Sequence, residues 1–394
     1  MTESNPSEVG MSLTPPSPRA EWRSSRSGTG LALSGGGFRA TLFGLGTLWR
    51  LNEIGWFKSI RRITSVSGGS LTAGVLAAHW NELAFDSQGR AANFNEVVVK
   101  RLRDYCSRTL DWKAISLGLL PFVSAAGVAR KSFENYLVRT PEGNIATLAD
   151  LPTTGNGPDF VFYATCFQTG SSFRFSRDGL YDWKLGHLPL LNFSLGTALA
   201  ASAAFPPFLS PLRLRTDPAE WTDKPAVRRL DRADRIRARL HLGDGGIYDN
   251  MATEALWKNM ERVLISDAGA PFAFLPRPNR NWISQLSRVR NILIHQTRAL
   301  RKRMLFGDFQ SKRYSGAYWG ISTQIDAYGL EQTMCADSDS TRALELIGTR
   351  LRALDPERQE KLINWGYALT DAAVRRHVDS AVEKGVWPYP DRRF

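Results

Sequence analysis

Three glycine-rich stretches carry residue types from which ester chemistry is built. The first is Ser65-Val66-Ser67-Gly68-Gly69. A serine between a strand and a helix, with small residues two before and two after, suits a nucleophile elbow, where the two backbones approach closely. The same serine would also serve as a simple N-cap of the following helix. The second stretch is Gly35-Gly36-Gly37, at the end of the preceding strand. Consecutive glycines let backbone N–H groups converge, and a helix N-terminus behind them adds positive dipole, a geometry suited to an oxyanion or a phosphate. Arg39 would add a permanent cation beside them. A Walker loop is excluded, because Arg39-Ala40-Thr41 does not supply Gly-Lys-Ser/Thr. A dinucleotide fingerprint fits formally as Gly35-x-Gly37-x-x-Ala40, but the acid at about the right distance, Glu53, ends a helix instead of a second strand. A structural turn remains open, though three adjacent glycines exceed what a turn needs.

The third stretch is Asp244-Gly245-Gly246-Ile247-Tyr248-Asp249-Asn250. An aspartate at a strand tip can point into a shared crevice, and Asp-Gly also serves an ordinary turn. Together the three supply oxyanion donors, a nucleophile and a carboxylate at the carboxyl ends of strands, where open α/β sheets bind ligands. A triad would also need a histidine. His295 and His377 follow Asp244 in the chain but fall within helical stretches, as surface or packing residues, and His241 lies on the strand leading to Asp244. A Ser67–Asp244 dyad therefore fits better than a triad.

Alternating strand and helix patterns position these groups. Gly30 to Ser34 reads as a buried strand, and Leu42, Leu45, Leu48 and Leu51 recur at helical spacing until Gly55. Ile63 to Val66 is a second strand, and Ser70 to Trp80 a helix. Strands follow at Phe160–Cys166, Ser172–Ser176, Leu240–Gly243 and Val263–Ser266, with a small-residue helix at Ser194–Ala204 and further helix over 338–385. The pattern implies an α/β fold with a mostly parallel central sheet sandwiched by helices and a helical C-terminal portion. Residues 1–28, rich in Ser and Pro, read as a disordered tail.

The 394 residues carry 51 Lys and Arg against 38 Asp and Glu, a net charge of +13 that favours anionic partners without choosing among them. Cys106, Cys166 and Cys335 are widely spaced, so neither a disulfide framework nor a zinc site is indicated, and a cytoplasmic setting is expected. Leu188–Leu212 is broken by prolines and Ala114–Ala129 is short, so neither is expected to span a bilayer. Between Pro271 and Gly307 lie Arg277, Arg280, Arg288, Arg290, Arg298, Arg301, Lys302 and Arg303 and no acid. Within that run Trp282, Leu286, Val289, Leu293, Leu300 and Met304 form an amphipathic stripe. The expectation is a helix packed on the core with a solvated basic face; the other reading lays it against anionic headgroups. No recognised nucleic-acid module accompanies the charge, so no nucleic acid is expected.

Ser34-Gly35-Gly36-Gly37-Phe38-Arg39-Ala40, Ser65-x-Ser67-x-Gly69, Ala201-Ser202-Ala203-Ala204-Phe205-Pro206 and Asp244-Gly245-Gly246, in this order, resemble the patatin-like phospholipases and the related cytosolic phospholipases of the A2 type. The resemblance runs from about Leu31 to Asp267. It implies a patatin-like catalytic α/β domain over 29–270 with 85–158 as a helical cap or insertion. Residues 271–394, a basic helix, a short strand and helices, would pack on that domain. It implies Ser67 as nucleophile, Asp244 as general base, and Gly35, Gly36 and Gly37 as the oxyanion loop, with Arg39 assisting a phosphate or the oxyanion. Two departures are visible: Ser34 stands where plant-type members carry aspartate, and Ser65 where the elbow carries glycine.

The implied activity is hydrolysis of fatty-acyl esters of phospholipid or lysophospholipid, with no metal or cofactor and with peripheral contact to an anionic membrane. Two other classes stay open: a nucleotide- or phosphate-binding module using the Gly35–Gly37 loop, and a catalytically silent membrane-associated protein of the same fold. Because a free aspartate is a weak base for a hydroxyl, the dyad requires a carboxylate shielded from water.

Overall fold

The computed structural model describes residues 26–110, 124–207, 209–223 and 232–394. Strand β1 (Thr29–Leu33), buried along its whole length, runs through the triple-glycine turn into helix α1 (Gly37–Glu53). Strand β2 (Ile60–Val66) turns at Ser67 into α2 (Gly68–Ala78). Helices α3 (Lys100–Cys106) and α4 (Ala125–Tyr136) occupy the connection to β3 (Asp159–Cys166), where a helical cap is expected. Most of the apolar stretch Ala114–Ala129 lies outside the described residues, as does the N-terminal tail up to residue 25. The chain continues through β4 (Ser171–Ser176), β5 (Gly179–Asp182), β6 (Gly186–Leu188), α5 (Leu195–Ser202), β7 (Leu212–Leu214) and β8 (Leu240–Asp244). It ends its sheet with β9 (Arg262–Asp267) and β10 (Ser315–Gly320), separated by the long helix α6 (Trp282–Gln310), before α7 (Pro356–His377).

One ten-stranded sheet runs β10-β9-β1-β2-β3-β4-β5-β6, with β8 joining β3 to β7. The five strands from β10 to β3 are mutually parallel, as the strand–helix alternation predicts. Beyond β3 the pairing turns antiparallel through β4, β5 and β6, and β8 runs antiparallel to both β3 and β7. The short strands β5, β6 and β7 were not legible in the sequence, because three or four residues carry too little alternation to read.

Helix α1 is the central column. Only Trp49 and Glu53 in it reach solvent. It packs on α7 through two glycines: a Cβ on Gly46 would lie 2.0 Å from the Ile363 carbonyl oxygen, and one on Gly366 would lie 2.0 Å from that of Phe43. This contact is sealed by Arg50, whose guanidinium meets the buried Asp371 carboxylate at 2.8 Å. The C-terminal segment is thus built into the same core, and β10 joins it to the same sheet.

Helix α6 overturns the expected orientation. Its apolar stripe faces outward, with Trp282, Leu286, Val289, Leu293, Leu300 and Met304 all exposed, and Leu305 is its one fully buried residue. The cations turn inward instead. The Asp267 carboxylate at the end of β9 is fully buried and is met by Arg298 at 2.8 Å and Lys302 at 3.1 Å. Arg301 approaches Asp249 at 3.7 Å and Glu254 at 3.6 Å. A buried carboxylate needs a counter-charge more than the outer stripe needs a core, and that requirement sets the helix's rotation.

Candidate active site

Ser67 sits at the turn from β2 to α2 with φ 51° and ψ −119°, a left-handed backbone that costs a non-glycine residue about 1–3 kcal/mol. Small neighbours make this turn possible. A Cβ on Gly68 would fall 2.0 Å from the Gly37 carbonyl oxygen, and one on Gly69 would fall 2.5 Å from that of Leu33. The two glycine turns are therefore stacked directly on each other. Ser65, standing where a nucleophile elbow usually carries glycine, is buried, and its Oγ accepts a hydrogen bond from Ser70 Oγ at 3.0 Å.

Asp244 reaches the same place from the opposite direction. Tyr163 pairs with Val66 and Ala164 with Asp244, while β4 covers the other edge of β3 over these residues. Strands β2 and β8 thus lie head to head on one edge of β3, and their carboxyl ends meet. The Asp244 side chain shares the cleft with Ser67, whose hydroxyl is near enough to influence its titration, and its Oδ1 accepts the Gly246 amide at 2.7 Å. Burial is the dominant influence and raises the carboxyl pKa to about 7, against the opposing pull of Gly246 and Ser67.

The tip of α5 holds both residues, a relationship the sequence motif did not reveal. Ser202 Oγ accepts the Ser67 amide at 2.9 Å and lies 2.9 Å from Ser70 Oγ. The Ser202 carbonyl accepts the Gly245 amide at 3.3 Å, and the Ala204 carbonyl accepts that of Asp244 at 2.8 Å. A hydroxyl pattern Ser65–Ser70–Ser202 is therefore the buried support of the turn. Nothing in residue spacing announces it, because its members come from β2, α2 and α5.

The glycine loop divides its labour. The Gly35 amide donates to the Asn250 carbonyl at 3.0 Å, so it is committed to structure. Asn250 was quoted only as part of the aspartate motif, yet it also faces the cleft and its Nδ2 lies 3.5 Å from the Gly35 carbonyl. Gly36 and Gly37 have φ of 147° and 58°, and among the described residues their amides donate to no acceptor. Ser34, at the position of the plant-type aspartate, ties β1 to β9 by accepting the Ala268 amide at 2.7 Å.

Arg39 is placed differently from expectation. Its guanidinium donates to the carbonyls of Glu345 at 2.6 Å, Ile347 at 2.7 Å and Ala268 at 2.7 Å, and it does not line the cleft. Burial, with Arg298 nearby, pulls its pKa down to about 10. The residue clamps the loop 345–347 against α1, and Phe38 donates its amide to Arg350 at 3.2 Å beside it. A cation on the first turn of a helix can face either way, and three unpaired carbonyls decide the direction.

A cleft of about 460 Å³ opens over these groups. Ser67, Asp244, Gly35, Gly36 and Gly37 line its floor; Phe205, Phe272 and Ile294 give it apolar walls. Arg288, Arg290, His295 and Arg298 come from the inward face of α6. His295, read as a surface or packing residue, packs against Phe272 with ring centroids 4.8 Å apart and in doing so forms part of the cleft wall. Burial, then Arg298 and Lys302, depress its pKa. Among the described residues no histidine hydrogen-bonds to Ser67 or Asp244.

The structure resembles the human GIVD cytosolic phospholipase A2 in complex with methyl gamma-linolenyl fluorophosphonate, at 12% identity and a TM-score of 0.48, covering 88% of this chain and 58% of that one. A second structure of the human GIVD enzyme gives 13% identity and a TM-score of 0.42, over 63% of this chain and 47% of that one. VipD from Legionella pneumophila gives 16% identity and a TM-score of 0.35, over 88% of this chain and 66% of that one. The chain accordingly spans about half to two thirds of the length of these structures. No curated protein sequence matches it significantly. The profile of the family described as patatin-like phospholipase matches residues 31–257, more than half of the chain and all three glycine motifs. On that match, the chain belongs to the patatin-like phospholipase family.

Proposed function

We propose that the protein is a serine acyl-ester hydrolase of the phospholipase A or lysophospholipase type, working through Ser67 and Asp244. The carrying observation is the convergence, on the floor of one cleft, of a half-exposed hydroxyl on a strained turn and a buried carboxyl whose pKa burial raises to about 7. A base poised near neutrality combines an ionised fraction with enough basicity to take a hydroxyl proton. Asp244 accepts that proton as Ser67 Oγ attacks the ester carbonyl, and the N–H groups of Gly36 and Gly37 receive the oxyanion. The protonated Asp244 then gives its proton to the departing alcohol. In the second half, Asp244 takes a proton from water as the water oxygen attacks the acyl-enzyme carbonyl, then returns that proton to Ser67 Oγ as the acyl bond breaks and the fatty acid is released.

Phosphate-bearing lipid is the favoured substrate class. Arg288 and Arg290 line the cleft, and among the described residues neither is paired with a carboxylate. Arg288 donates to the Ala273 carbonyl at 2.7 Å and Arg290 to that of Pro206 at 3.3 Å, contacts that leave positive charge uncompensated. Such a substrate resides in a bilayer, and no described helix is long and apolar enough to cross one, so contact would be made from the side. Fluorophosphonate labelling with mass-spectrometric site mapping tests the proposal: label on Ser67 is expected. Lysophospholipid or free fatty acid should appear in treated membranes, and labelling elsewhere, or none, would reject it.

A further inference from the structure

Helix α6 presents two chemically opposite faces, and its outer one has no partner among the described residues. Trp282, Leu286 and Leu293 are exposed at 70%, 61% and 62%, and Val289, Leu300 and Met304 continue the same line at helical spacing. Ile283 and, in the preceding loop, Phe274 and Leu275 widen it. Single exposed apolar residues need no explanation, but a contiguous stripe of this extent marks an interaction surface. We propose that this face is the membrane-docking surface of the protein, lying in the interfacial plane of an anionic bilayer.

Charge selects that occupant over a second copy of the chain. The exposed cations Arg277, Arg280 and Arg303 border the stripe, and no acid occurs between Pro271 and Gly307. A two-fold contact would lay this acid-free surface on itself and set cation against cation, whereas anionic headgroups supply the missing counter-charge. Trp282 stands at the start of the helix, a place where an amphipathic ring suits the headgroup boundary. Geometry gives the docking a purpose. The inward face of the same helix contributes Arg288, Arg290, Asn291, Ile294 and His295 to the cleft over Ser67. Seating the outer face in lipid brings the cleft wall to the bilayer surface, so that a lipid has only the thickness of one helix to cross. For its biological sense the proposal rests on the lipid-hydrolase reading, but its test is independent of turnover.

The full-length protein is floated with vesicles of phosphatidylcholine alone and of phosphatidylcholine with phosphatidylserine. Leu286→Glu/Leu293→Glu is compared with the parent, a matching thermal melt checks that the variant's fold is intact, and hydrolysis of a short water-soluble ester is read alongside for the site. The parent should partition onto the anionic vesicles, and the variant should lose about tenfold or more of that partitioning with soluble-ester hydrolysis unchanged. Failure of the parent to float, equal flotation on uncharged vesicles, or equal flotation of the variant overturns the proposal. So does a parent that sediments as a dimer and becomes monomeric on substitution, which would assign the face to self-association. A parent that floats but hydrolyses no ester leaves docking standing and rejects the hydrolase reading instead.

Discussion

Val66 and Asp244 are paired with consecutive residues, Tyr163 and Ala164, along a single edge of β3. One strand climbs that edge and stops; another descends it and stops. The residue after Val66 and the last residue of β8 therefore meet without any long loop to hold them. Ordinary strand register, the most rigid device in a sheet, sets the separation of hydroxyl and carboxyl.

Replacing Ser67 should separate chemistry from stability. Ser67→Gly removes both the hydroxyl and the strain of φ 51°, so turnover should fall to background while stability rises by about 1 kcal/mol. Ser67→Ala should lose the same activity with no such gain, because alanine keeps the strained backbone. Chemical denaturation read beside ester hydrolysis tests both; activity surviving in either variant rejects the nucleophile.

Asp244 should write its titration into both rate and stability. With the carboxyl near pH 7 in the fold, kcat/KM on a soluble ester should fall about tenfold per unit below that pH and level off above it. An unfolded aspartate titrates near 4, so between roughly 4 and 7 the native state keeps a proton the unfolded chain has released. This group's contribution to stability is therefore fully present below about pH 4 and is lost as pH rises through about 7. Asp244→Asn should abolish turnover yet melt higher than the parent above pH 7. A flat rate profile across pH 5 to 8 would count against the assignment.

Ser202 should matter without touching substrate. Ser202→Ala leaves the part-buried Ser67 amide without its acceptor, which costs about 1 kcal/mol and lets the turn relax. The expected signature is a lower kcat with nearly unchanged KM on a soluble ester. Recovery by Ser202→Thr, which restores a hydroxyl, would separate positioning from general damage.

Arg39 should behave as a clamp. Arg39→Lys cannot satisfy three carbonyls lying in three directions, so several kcal/mol of stability should be lost, at about 1.5–3 kcal/mol per charged hydrogen bond. Any activity deficit should track the unfolded fraction, with KM for an anionic lipid unaltered in the folded remainder. A selective rise in that KM at full stability would instead put the guanidinium on the substrate.

What the sequence disclosed, and what it hid, follows a physical division. The turns at Gly35–Gly37, Ser67 and Asp244 were legible because local sterics demand small residues at those positions, whatever the rest of the chain does. The parallel strands β1, β2, β3 and β9 were legible because burial on both faces leaves an apolar run. Orientation was not. The periodicity of α6 gives two faces but cannot say which one meets the core, and the deciding carboxylates, Asp249 and Asp267, lie on other elements. The antiparallel entry of β8, the inward turn of Arg39 and the role of Ser202 were hidden for the same reason: each depends on a partner distant in sequence.

The glycine turn that opens the fold is roofed by a segment reached only much later in synthesis. Phe38 donates to Arg350, Arg39 holds the carbonyls of Glu345 and Ile347, and the Thr349–Arg350 backbone occupies the space a Gly37 side chain would need. A nascent chain can thus display every motif residue outside the ribosome and still lack a finished site until residue 350 has emerged. Translation itself would keep the polypeptide chemically mute while it is being made, and a chain stalled short of Thr349 should take up no fluorophosphonate.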